Sequence, residues 1–144
     1  MNSTRNKAAL ALLWGLACAL PAQAQAQATV DLFVTITSAE AQKQGLALVL
    51  ASQGLQQKAR VRVLLCADGG PLALKAREPA ALKPRSPRVM LDELIKAGAQ
   101  VDVCALFLPN SEWKQTDLID GVGVAKPQEV AAQLLAPQTR AVTF

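Results

Sequence analysis

Past residue 30 the chain alternates between short apolar runs rich in β-branched residues and longer stretches whose apolar residues recur three and four apart. Leu32-Phe-Val-Thr-Ile36 is the first such run and predicts a buried strand. Thr37 with Glu40 three residues later has capping-box spacing, which predicts a helix over 39–56 with Leu46, Val49 and Leu50 on its inner face. Arg60-Val-Arg-Val-Leu-Leu-Cys66 reads as a second strand, and Asp68-Gly-Gly-Pro71 as a turn opening a short helix through residue 75. Residues 76–88, with three prolines and four basic side chains, read as a solvated connection. Ser86-Pro87 then supplies an N-cap and a first-turn proline, Met90, Leu91, Leu94 and Ile95 an inner face, and Gly98 a stop.

A third strand is expected over 101–108, followed by a loop bearing Trp113 and a helical turn over 115–119. A short strand over 122–125, a helix over 127–135 and a last strand over 141–144 complete the series. Strand and helix alternate throughout, which predicts an α/β fold of right-handed β-α-β units: a parallel sheet with helices on both faces.

Ahead of these elements lie Arg5 and Lys7, an apolar stretch over 8–20, Pro21 and an Ala-Gln repeat. That order is the charged region, apolar core and small-residue processing site of a secretory signal peptide. The stretch falls short of the roughly 20 apolar residues a membrane-spanning helix needs, so removal is expected and no stable membrane insertion follows. The expected cut follows Ala24, with Ala26 and Ala28 in the same small-residue register. Residues 25–144 then form a single domain of about 120 residues, periplasmic or secreted. Cys18 leaves with the signal, since Gly15 stands where a lipoprotein signal usually carries Leu. The loss of two cations lowers the formal net charge from +4 to about +2, which with export argues against a nucleic-acid partner.

The chain has no His and no Tyr. Ser-His-Asp and Cys-His catalysis and His-ligated zinc are therefore excluded within one chain. Cys66 and Cys104 remain as soft nucleophiles, each at or near the carboxyl end of an expected strand, where open parallel sheets gather their functional groups. A buried structural thiol is the plain alternative for each. The two sulfurs with Met90 match the preference of a soft metal, but C-x-x-C and Met-rich spacing are both missing, so no metal and no cofactor are assigned. Lys114 is the basic residue nearest Cys104 in sequence, Trp113 suits either a pocket wall or a cover for the sheet end, and Asp68 reads first as a turn residue.

Leu94-Ile-Lys-Ala-Gly-Ala-Gln-Val-Asp-Val-Cys104, then Asp117-Leu-Ile-Asp-Gly-Val-Gly-Val124, then a helix and an apolar strand ending at Phe144, resembles the DsrE/DsrF-like sulfur-relay family. The resemblance spans about residues 32–144. It implies a three-layer α/β/α fold with a five-stranded parallel sheet, a homo-oligomer (trimer or hexamer), and a cysteine carrying sulfane sulfur as a persulfide, by position Cys104. A sulfur donor or acceptor, protein or small molecule, would be its partner. Such a chain is a sulfur carrier or sulfurtransferase-like protein without independent turnover. Cys66 at the end of the second strand and the export signal depart from the cytoplasmic members. If the strand order carries over, the second and third strands are neighbours about 4.8 Å apart. Cys66 and Cys104 are then expected within disulfide reach. The competing expectation is a non-enzymatic, oligomeric binding or assembly module whose cysteines are structural.

Overall fold

In the computed structural model, which describes residues 29–77 and 81–144, the strands are β1 (Asp31–Ile36), β2 (Arg60–Leu65), β3 (Gln100–Val103), β4 (Val122–Val124) and β5 (Thr139–Thr143). The signal segment expected over residues 1–24 lies outside the described residues. All neighbouring strands pair in parallel, in the order β4-β3-β2-β1-β5. The helices are α1 (Ala41–Gln56), α2 (Pro87–Lys96) and α3 (Pro127–Leu134). The chain steps outward from β1 to β4 with α1 and α2 on one face, then returns past β1 to β5 with α3 on the other. The result is the three-layer α/β/α architecture with five parallel strands.

The two faces are unequal. Val34, Ile36, Val63, Leu65, Val101 and Val103 form the larger core with Leu48, Leu91 and Leu94 of α1 and α2. On the opposite face the buried apolar cluster among the described residues is Phe33, Leu64 and Ala125, with Val130 of α3 half-buried against it. No residue of α3 is fully buried.

Several local expectations change. The inner face of α1 carries Gln44, Ala47, Leu48 and Ala51, whereas Leu46, Val49 and Leu50 are 52%, 44% and 42% exposed. The reason is close approach: a Cβ on Gly54 would stand 2.7 Å from Leu32 Cδ2, so the face of small residues turns inward. Thr37 does not cap α1, because its Oγ1 donates to the Phe144 carbonyl at 2.9 Å and thereby fastens the chain's end to the end of β1. β3 stops at Val103 rather than running to 108, since the paired registers of β2 and β4 end opposite it at Leu65 and Val124. Arg88, expected in the solvated connection, is buried on α2. Its guanidinium donates to the carbonyls of Leu72, Leu74 and Arg77.

Candidate functional site at the carboxyl edge of the sheet

The registers of β2 and β3 end with Leu65 opposite Val103, so the next residues, Cys66 and Cys104, leave the sheet side by side. Their backbones prolong the ladder: Cys104 N–H donates to the Leu65 carbonyl and Cys66 N–H to that of Ile36, each at 2.9 Å. The two-residue period of a strand turns both side chains toward the α3 face. There they pack, half-buried, against Phe33, Leu64 and Ala125. Both are free thiols.

Burial and the neighbouring thiol together change the acidity of Cys66. The Cys66 thiol is pushed up to about 12, first by burial, then by its hydrogen-bonding contact with Cys104, then by the charge Cys104 carries when ionised. Cys66 therefore keeps its proton at neutral pH.

The segment after each cysteine is tightly held. Ala67 takes a φ of +47°, a left-handed conformation costly for a residue with a Cβ. A 3₁₀ turn over Ala67–Ala73 follows, its Gly69 N–H donating to the Cys66 carbonyl at 2.9 Å. A Cβ on Gly69 would lie 2.3 Å from the Ile36 carbonyl oxygen, and one on Gly70 would lie 2.4 Å from the Phe107 ring. Two glycines are thus required for the turn to lie flat between the end of β1 and the segment after β3. Phe107 N–H in turn donates to the Cys104 carbonyl at 2.9 Å.

Asp68 is exposed, a turn residue as its neighbours imply. Trp113 packs, half-buried, against the larger core. Lys114 is exposed, its backbone N–H donating to Asp117 Oδ2 at 2.8 Å. Met90 packs against the larger core, on the opposite side of the sheet from the cysteines, so it cannot complete a soft-metal site with them. Among the described residues no group of three or more His, Cys, Asp or Glu could hold a metal ion.

Sequence reasoning missed a polar row beneath the thiols on the same face. Arg62 and Asp102 form a buried ion pair, Nη2 to Oδ2 2.8 Å. Gln100 donates to that carboxylate at 2.9 Å, and Arg62 donates to Gln133 of α3 at 3.2 Å. The signal was present in the strands, where Arg62 and Asp102 interrupt apolar runs at a spacing that puts both on one face.

No protein-family model matches the chain, and no curated protein matches it. Solved structures do. MTH1491 of Methanobacterium thermoautotrophicum, a protein of unknown function, superposes with a TM-score of 0.62 at 16% identity, covering 80% of this chain and 99% of its own. The ychN protein of E. coli superposes with a TM-score of 0.61 at 21% identity, covering 79% and 99%. Likeness at this identity shows the fold, and five parallel strands between two helical layers is the architecture that the sequence resemblance implies.

Proposed function

We propose that the mature chain, exported and processed near Ala24, binds or relays sulfane sulfur as a persulfide on Cys104. The observation that carries the reading is the pair of free, half-buried thiols at the carboxyl edge, with Cys66 holding the proton. In the transfer, Cys104 thiolate attacks the sulfane sulfur of a donor persulfide. A sulfur–sulfur bond to Cys104 forms, the donor's own sulfur–sulfur bond breaks, and the donor leaves as a thiolate with no net oxidation. An acceptor thiolate removes the sulfur by the same exchange. The DsrE-like fold supports this reading.

Assembly as a homo-oligomer, trimer or hexamer, belongs to the same proposal. It is supported by the thin cover on the α3 face, where Leu134 and Leu135 are 45% and 85% exposed. Light scattering at micromolar concentration should report more than one copy, and a monomer would remove this part.

The test of the chemistry is intact mass after treatment with one equivalent of a small-molecule persulfide. The Cys66→Ser variant should gain about 32 Da, reversibly by reductant. Cys104→Ser should gain nothing. Failure of Cys66→Ser to take up sulfur would sink the reading and leave the cysteines as structural parts of a binding module.

A further inference from the structure

The relay reading uses one sulfur, yet the structure sets a second beside it. We infer that Cys66 is a resolving thiol: it attacks Cys104 Sγ of the persulfide, forming a Cys66–Cys104 disulfide and expelling the outer sulfur as hydrosulfide. This rests on the persulfide reading of Cys104 and adds a product, hydrosulfide, and a second substrate class, an external dithiol.

The register is the main argument. Level residues on adjacent parallel strands stand about 4.8 Å apart between strands, inside the Cα range a disulfide spans. Both side chains turn to the same face and pack on the same small cluster. The sulfur Cys66 meets is Cys104's own Sγ, while an added sulfur extends beyond it. Attack on Sγ makes hydrosulfide the leaving group, and hydrosulfide leaves more readily than an alkanethiolate because its conjugate acid is the stronger.

The step balances. Cys66 thiol and Cys104 persulfide anion give the disulfide and one hydrosulfide; the Cys66 proton leaves on the expelled sulfur. The sulfane sulfur gains two electrons, one from each cysteine. An external dithiol then reduces the disulfide by exchange and is itself oxidised, resetting both thiols. The proton held on Cys66 slows resolution at neutral pH, so the persulfide lives long enough for a competing acceptor to collect it, and resolution quickens as pH rises.

The pre-reduced full chain, freed of reductant, is mixed with one equivalent of glutathione persulfide while sulfide release and intact mass are followed. The wild-type protein should release about one equivalent of hydrosulfide per chain and end about 2 Da lighter, with the Cys66–Cys104 peptide found on digestion. Cys66→Ser and Cys66→Ala should hold the added sulfur and release at least about tenfold less sulfide. A wild-type protein that holds the added sulfur as stably as the variants would overturn the resolving role and leave the relay standing. If neither the wild type nor the variants load sulfur, the persulfide reading itself fails. The wild-type mass and sulfide yield decide the matter even where a variant folds poorly.

Discussion

Arg62 and Asp102 face each other across the neighbouring strands β2 and β3 at 2.8 Å, with side chains only 6% and 9% exposed. Breaking a buried pair strands a charge, and Arg62 without Asp102 keeps only the Gln133 amide as a hydrogen-bond partner among the described residues, with Glu129 of α3 near enough to feel its charge. Asp102→Ala should therefore cost about 3–5 kcal/mol in urea unfolding. Replacing both with apolar residues, as in Arg62→Met with Asp102→Leu, removes the unpaired charge and should recover most of that loss. A double variant no more stable than the single one would show that the pair is needed for more than mutual neutralisation.

Gly69 should tolerate no side chain. Its absent Cβ would fall 2.3 Å from the Ile36 carbonyl oxygen, a backbone atom that cannot swing aside, so Gly69→Ala must lift the turn off the end of β1. The expected cost is about 1–3 kcal/mol, the usual range for overpacking. Because the turn begins next to Cys66, alkylation of that thiol should also speed up. Asp68→Ala, one residue earlier and exposed, is the control and should stay within about 0.5 kcal/mol of the parent.

The strand and helix order was legible in the sequence because parallel strands buried on both faces leave continuous apolar runs; Cys66 ended such a run, whereas Cys104 lay inside the run over 101–108, which leaves the sheet after Val103. Arg88 shows where local reading stops. It stands in a basic, proline-rich stretch that looks solvated, yet three main-chain carbonyls converge on its guanidinium from segments 11 to 16 residues away. The inner face of α1 was misread for a related reason. With apolar residues on every side of the helix, the choice of face is made by how closely Gly54 lets it approach Leu32, a distance no periodicity encodes. Arg62 and Asp102 were visible as an alternation, but only strand order shows that they meet.

The ionisation of Cys66 offers a test that separates its causes. Burial comes first, and contact with Cys104 and the charge of Cys104 add to it, lifting the thiol to about 12. Cys104→Ala deletes the second and third causes and leaves the first, so the Cys66 pKa should fall toward its ordinary value of about 8.5 without reaching it. Iodoacetamide labelling followed by peptide mass should then show Cys66 reacting faster in this variant than in the wild type between about pH 8 and 9.5. Stability carries the same signature. A thiol whose folded pKa exceeds its unfolded one binds its proton more tightly in the fold, so its contribution is intact below about pH 8.5. That contribution is then lost as pH rises from there toward the folded value. Urea midpoints of the wild type should decline more steeply between about pH 8.5 and 10 than those of Cys66→Ser, which has no thiol to ionise. Parallel declines in the two proteins, together with unchanged Cys66 labelling in Cys104→Ala, would mean that the two sulfurs do not share a proton.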